Sequence, residues 1–364
     1  MRLQLSLILS VAFLFSFGLL MVFNTTSAEI LDRCVEGSTH APFLRQCLYG
    51  VVGIAIGSLV YALGYESLIK YSPWLLAIFT ICLLLLFVPG IGQTINGSRR
   101  WLNLLGFSFQ PSECVKILIP CAYIWWIQRQ DTDVSLISFL KILAILFVPI
   151  ALILLQPDHG TTAILFSVLA TLFFMTRIRF AYWALPLLCV AMIGGWGAYQ
   201  LPYVKNRIQI YLHPELDLRG KGHQPHQAKI AAGSGQIFGR GLGESLQKLN
   251  YLPEARSDYI AAIFAEETGF VGIVGLIFLY LVFTFSGMAI AFCACNREGF
   301  LLSSILTFLI SIQAFLNLGI VSGLLPSKGT TLPFFSQGGS SLVINMVIFF
   351  LLLDICRKNK LCKI

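Results

Sequence analysis

Apolar positions run along the chain in long, nearly unbroken blocks near 5–23, 44–64, 73–93, 112–127, 136–155, 160–176, 180–200, 259–295, 299–323 and 340–356. A helix needs about 20 apolar residues to cross a bilayer, so each block predicts a membrane span. The block at 259–295 holds one span with overhang at both ends. Polar stretches between blocks are short apart from 201–258, which includes the amphipathic piece KNRIQIYLHPELD and then a glycine-rich run poor in apolar residues. Such a segment cannot bury a core of its own and is expected to lie against the membrane domain. The pattern predicts an all-α polytopic membrane protein, one domain over 1–364, with about ten transmembrane helices and one large extracytoplasmic loop at 201–258.

Composition points the same way. The chain is 57% hydrophobic and only 12% charged, with a mean hydropathy of +0.81, which excludes an ordinary soluble domain. Ten spans put both tails on one side, and basic residues choose the side. With both termini cytoplasmic, the inner segments hold Arg2, Lys70, Arg129, Arg177, Arg179, Arg297, Arg357, Lys358, Lys360 and Lys363, the bias that orients membrane proteins. The net charge of +8 is thereby accounted for by flanks facing anionic membrane lipid and needs no nucleic acid. Arg99 and Arg100 break the bias on the outer side, and read either as a place for a bound anion or as solvated loop charge. The first apolar run is nearer a full span than the roughly 7–15 residues of a signal-peptide core, so it is read as a span. Most cysteines fall inside spans, where a small buried hydrophobe is the ordinary role. Cys34 and Cys47 flank the first outer loop and could pair in an oxidising compartment. Cys293 and Cys295 lack partners at zinc spacing, so no structural metal site is assigned.

Ionisable groups at a membrane entry are the candidates for chemistry. Asp258 precedes the apolar run at 259–295 and reads equally as a helix N-cap or as a general base or metal-binding carboxylate at the membrane surface. Glu266 and Glu267 lie two turns deeper in the same predicted helix and need cations or hydrogen-bond donors, with Lys328 and Lys116 as candidate partners. Glu113 and Lys116 are three apart, a spacing that pairs them on one helix face. The glycine runs around Gly233 and Gly239–Gly243 are weak phosphate motifs, better read as flexible turns, though Arg240, Lys248, Lys229 and Arg256 put positive charge nearby. The segment LLPSKGTTLPFFSQGGSS, which carries Lys328, is expected to dip toward a polar interior, because irregular backbone at membrane depth must be satisfied by protein or water. Gln313 and Asn317, four apart in the preceding span, read as helix–helix glue.

The pieces GSRRWLNLLGFSFQPSECVK, LLQPDHGTTA, AAGSGQIFGRGLGESLQK, YLPEARSDYIAAIFAEETGFVG and NLGIVSGLLPSKGTTLPFFSQGGSSL stand in this order along the chain. Together they resemble the SEDS family (shape, elongation, division and sporulation) of bacterial cell-wall proteins over nearly the whole sequence. The resemblance implies a peptidoglycan glycosyltransferase of the bacterial cytoplasmic (inner) membrane. Its substrate would be lipid II, the undecaprenyl-pyrophosphate-linked disaccharide, polymerised into glycan strands. Asp258 stands at the family's essential aspartate, Trp101, Glu113 and Lys116 match functional positions of the earlier motifs, and Lys328 matches the lysine of the last outer loop. Lys328 and the KGTTLPF context are more like the division branch, FtsW or SpoVE, than the elongation branch. Arg256-Ser257 replaces the usual His-Thr, His159 an apolar residue and Gln337 a tyrosine; none of these changes removes an acid or base. The family pattern implies a class B penicillin-binding protein transpeptidase as partner, beside other division proteins.

Those implications suit the residues. A pyrophosphate at the outer surface needs cations, for which Arg99, Arg100, Lys116, Arg240 and Lys328 are the candidates, with Glu113 orienting Lys116. Asp258 would act as base on the acceptor hydroxyl, with Glu267 as its neighbour. No cofactor is called for, although a divalent cation at the leaving group stays open. A lipid II flippase or a non-catalytic division scaffold are the alternatives; the flippase should keep its charges near the midplane rather than at one face.

Overall fold

The computed structural model describes residues 2–33, 40–90, 92–95, 98–104, 107–130, 134–200, 211, 223–248, 256–326 and 329–361. Every predicted apolar block forms a helix. In order these are α1 (Arg2–Arg33), α2 (Ala41–Leu63), α3 (Tyr65–Leu85), α4 (Pro111–Ile127), α5 (Leu136–Leu155), α6 (His159–Met175) and α7 (Phe180–Gln200), then α8 (His223–Ser234), α9 (Ile260–Phe292), α10 (Arg297–Val321) and α11 (Gly339–Leu361). Among the described residues, seven helices are long and apolar enough to cross a membrane: those at Arg2–Ser27, Ala41–Leu63, Tyr65–Leu85, Leu136–Leu155, Ile260–Phe292, Arg297–Val321 and Gly339–Asn359. The remaining apolar helices include α4 and α6, of 17 residues each. At 1.5 Å per residue each reaches about 25 Å, short of a bilayer core. Such lengths suit interior helices, and α4 is buried along almost its entire length.

The all-α expectation needs one correction. Strands β1 (Gly92–Ile95), β2 (Ser98–Leu104) and β3 (Phe107–Phe109) form an antiparallel sheet in the order β1-β2-β3. Gly92 pairs with Leu102 and Leu102 in turn with Phe109, with a register shift between Gln93 and Thr94. The sequence carries a hairpin signal there, Asn96-Gly97 between the first two strands, which hydropathy alone overlooks. The sheet is tied to α11 where the Gln110 amide donates to Ser340 Oγ (2.9 Å), whose hydroxyl donates to the Ser108 carbonyl (3.3 Å).

Between the predicted spans, α8 packs on α9 and α10 through the buried Ala228 and Ala231. The amphipathic piece beginning at Lys205 lies outside the described residues except Tyr211, whose hydroxyl donates to the Leu324 carbonyl (2.6 Å). Cys34, named with Cys47 as a possible disulfide, is likewise outside them. At the far end of the bundle, Asp354 of α11 is fully buried. It accepts the Tyr65 amide (2.9 Å) at the start of α3 and faces Arg357 (2.6 Å). A helix start leaves N–H groups without intrahelical partners, and here a carboxylate from another helix takes one of them.

Candidate functional site

Asp258 lies just before α9. The N-cap position of that helix is Tyr259, with no side-chain cap bond, one residue beyond the cap position that the sequence suggested. The Asp258 segment is held by non-local contacts. Asn317 of α10 donates through Nδ2 to the Asp258 carbonyl (2.9 Å) and to the Thr330 carbonyl (2.6 Å), and the Gln337 amide donates to the Arg256 carbonyl (3.0 Å). A Cβ added to Gly329 would stand 3.0 Å from Asp258 Oδ2, so the carboxylate abuts that backbone. Asn317 is thus more than helix glue: one buried amide joins α10, the Asp258 carbonyl and the 329–331 segment.

Next to this point stands the start of α6. Gly160 faces the methyl of Thr330, and Asp158 is the helix N-cap, accepting the Thr161 amide (3.2 Å) and hydroxyl (2.9 Å). Arg100 reaches the same turn from β2. Its Nη1 is 3.8 Å from Asp158 Oδ1, while Nε and Nη2 donate to the carbonyls of Gln156 (3.1 Å) and Pro157 (2.6 Å). The structure therefore uses Arg100 to lock the sheet onto α6, with two N–H donors committed there, whereas Arg99 is exposed and Trp101 half-buried. Asp158 was not singled out in the sequence, although an Asp three residues ahead of a Thr at the start of an apolar run is a helix-start signal.

Glu113 and Lys116 sit in the first two turns of α4, which Pro111 opens at its first position. Both are buried, and Lys116 Nζ lies 2.8 Å from Glu113 Oε2 without the alignment of a hydrogen bond. The i,i+3 pair expected from the sequence is thus formed, and it is buried, so its carboxylate and ammonium carry a desolvation cost that an exposed pair does not. Gln110 donates to Ser112 Oγ (3.0 Å) and points at Asp158 Oδ2 (3.5 Å), which connects the head of α4 to the head of α6.

Glu266 and Glu267 form a second cluster, eight and nine residues into or beyond the Asp258 turn. Lys116, one of the partners expected for them, pairs with Glu113 instead, and Lys328, the other, falls outside the described residues. Glu267 is buried, accepts from Lys248 Nζ (3.1 Å) and from Asn24 Nδ2 of α1 (2.6 Å), and Lys248 also donates to Asn24 Oδ1 (2.8 Å) and the Gly243 carbonyl (2.5 Å). Glu266 accepts the Ser245 hydroxyl and the amides of Leu246 (3.2 Å) and Gln247 (3.3 Å), with Arg240 Nε at 3.6 Å. The Glu267 carboxylate is thereby held between Lys248 and Asn24. Arg240 covers Glu266 on one side and is 40% exposed on the other.

The glycine runs are also explained. Helix α9 breaks at Gly269 (φ 69°, ψ −164°), which strands carbonyls before the break and amides after it. The glycine segment supplies the missing partners. Arg240 and Gly241 amides donate to the Glu266 and Glu267 carbonyls (both 3.0 Å), and the Phe270 and Val271 amides donate to the Gln236 and Ile237 carbonyls (2.9 and 3.1 Å). A Cβ at Gly239 would overlap the Glu267 carbonyl. These amides are committed to the broken helix, so they are neither flexible turns nor an anion cradle.

Lys328 lies outside the described residues. Among the described residues no group of three His, Cys, Asp or Glu side chains converges as a metal site would require.

A family model described as "Cell cycle protein", covering FtsW, RodA and SpoVE, matches residues 4–361. A probable peptidoglycan glycosyltransferase FtsW from Nitrosomonas europaea is 36% identical over 365 residues, covering 99% of this chain and 94% of that one. One chain of a peptidoglycan synthase complex, solved to show structural coordination of polymerization and crosslinking, superposes with a TM-score of 0.77 at 25% identity, over 96% of this chain and 97% of that one. The rod shape determining protein RodA of Thermus thermophilus shares the fold, with a TM-score of 0.69 at 24% identity over 97% of this chain and 96% of its own. On the length of the match and the order of its motifs, the chain belongs to the FtsW/RodA/SpoVE family of cell cycle proteins.

Proposed function

We propose that this protein is a multi-pass peptidoglycan glycosyltransferase of the bacterial inner membrane, with both termini cytoplasmic, which polymerises lipid II at the outer face during cell division. The observation that carries the reading is the setting of Asp258. Its backbone is fixed by Asn317, its carboxylate abuts Gly329, and Asp158, Gln110 and the buried Glu113–Lys116 pair stand at the heads of the adjoining helices α6 and α4. Asp258 accepts the proton of the acceptor sugar's 4-hydroxyl as that oxygen bonds to the donor's anomeric carbon. The bond from that carbon to the pyrophosphate breaks, and undecaprenyl pyrophosphate leaves with the electron pair. Lys116, Lys328, Arg99 and the exposed side of Arg240 are the cations available to the leaving group, with Trp101 beside the sugar. A divalent cation, where one takes part, would bind Asp258 and the substrate's phosphate oxygens.

A flippase would keep exposed charge at mid-span. The deeper carboxylates here, Glu266 and Glu267, are instead closed off by protein partners, which favours an enzyme. The similar chain from a complex that coordinates polymerization with crosslinking supports a class B penicillin-binding protein as the partner, since new strands need a transpeptidase. The test is Asp258→Asn, purified with that partner and given lipid II, with and without chelator. Glycan polymerisation is expected to fall at least a hundredfold, within the range for loss of a general base; unchanged polymer length and rate would take Asp258 out of the catalytic role.

A further inference from the structure

Helices α5, α6 and α7 line an open-sided cavity of about 330 Å³ that the candidate site does not use. Its walls include Leu143 and Phe147 of α5, Leu169 and Phe173 of α6, and Trp183 and Pro186 of α7, all apolar. A void with such walls stays dry and accepts hydrocarbon.

Helix α6 fixes where in the bilayer this cavity lies. Its first residues stand at Asp158 beside the candidate site, and it runs away from there to Met175; its wall residues run from Phe166 to Phe173, so the cavity extends from mid-helix into the opposite leaflet. A substrate whose pyrophosphate sits by Asp258 therefore cannot place its first isoprene units here.

The α6–α7 turn is bonded to two of the wall residues. Ile178 is buried, its amide donates to the Phe173 carbonyl (3.1 Å), and Trp183 Nε1 donates back to the Ile178 carbonyl (3.4 Å). Two wall residues are thus bonded to the centre of the tripeptide Arg177-Ile178-Arg179. Both arginines are exposed. Arg177 is held with φ 57°, and Arg179 donates to the Tyr182 hydroxyl (3.3 Å). Lys141, next to the lining residue Leu140, is exposed on α5. Cationic side chains at the headgroup level above an apolar slot are complementary to an anionic amphiphile.

We infer that the α5–α6–α7 cavity is a binding site for one acyl chain of an anionic phospholipid in the leaflet opposite the candidate site, with Arg177, Arg179 and Lys141 engaging its phosphate. The site stands independently of the glycosyltransferase reading.

The test uses the full chain in vesicles containing phosphatidylglycerol or phosphatidylethanolamine with tail-brominated chains, which quench indole on contact. Emission from Trp183, taken as the difference between the native chain and Trp183→Phe, is expected to be quenched severalfold more strongly by the brominated phosphatidylglycerol. Arg177→Gln with Arg179→Gln should make the two lipids equal, and Ala170→Trp, which fills the cavity, should abolish co-purification of phosphatidylglycerol seen by native mass spectrometry. Equal quenching of native Trp183 by both lipids would overturn the proposal without reference to any variant's folding. So would phosphatidylglycerol retention that Ala170→Trp leaves unchanged at an unaltered melting temperature.

Discussion

Among single residues, Lys248 gives the sharpest case of charge held by structure. It is buried, and its ammonium is shared among Glu267, Asn24 and the Gly243 carbonyl. Replacing it by methionine leaves the Glu267 carboxylate buried with, among the described residues, one side-chain donor, the Asn24 amide. The expected destabilisation is about 3–5 kcal/mol, the usual cost of breaking a buried pair from one side. Replacing both partners, Lys248→Met with Glu267→Met, should recover a large part of it; chemical unfolding of the detergent-solubilised chain measures both. If the double variant is no more stable than the single one, the pair is not the unit of stability. Asp258 differs in kind, since the structure braces its backbone through Asn317 while its carboxylate stands against the Gly329 backbone. The sequence marked Asp258 and the Glu113–Lys116 pair because both are local signals, a charge at a helix entry and an i,i+3 spacing. It could not mark Asn317 or Asp158 as neighbours of Asp258, because nothing local says which loop lies against which helix.

At the scale of elements, the broken α9 and the glycine segment are one construction. Gly269 takes a backbone that L-residues rarely adopt, and Gly239 packs its Cα against the Glu267 carbonyl. Gly239 and Gly243 both have positive φ, 80° and 87°, but only at Gly239 would a Cβ meet backbone. Alanine at either site carries the left-handed penalty of about 1–2 kcal/mol. Gly239→Ala must also push the glycine segment off the break, so its melting temperature is expected to drop well below that of Gly243→Ala. Equal drops would mean that the segment does not brace the helix. Hydropathy predicted the apolar helix but not its interruption, since a glycine in an apolar run is compatible with straight and broken helices alike. The sheet at Gly92–Phe109 escaped for a similar reason, its short strands being less conspicuous than the spans around them.

Across the whole molecule, polar chemistry is divided between the two ends of an apolar bundle. One end gathers Asp258, Asp158, Glu113 and Lys116; the other holds Asp354 with Tyr65, Arg357 and Lys358, where Lys358 also reaches Glu66 (2.7 Å). The short segments at the second end carry more basic than acidic residues, Arg297, Arg357, Lys358, Lys360 and Lys363 among them, so a green fluorescent protein fused after Ile364 is expected to fluoresce in cells, as it does only on the cytoplasmic side. A dark but full-length fusion would invert the topology and put Asp258 on the face away from an extracytoplasmic substrate. By itself the sequence determined where the apolar helices run, which end of the bundle has the larger excess of basic over acidic residues, the Glu113–Lys116 pair and the family, because length, hydropathy and near-neighbour spacing act within a few turns of chain. Only the tertiary structure decided that Glu267 is closed by Lys248 and by Asn24 from 243 residues away, that Arg100 serves Asp158, and that the glycine segment completes a broken helix. Buried charges and stranded backbone groups take whatever donors packing brings to them, and packing joins segments that the chain keeps far apart.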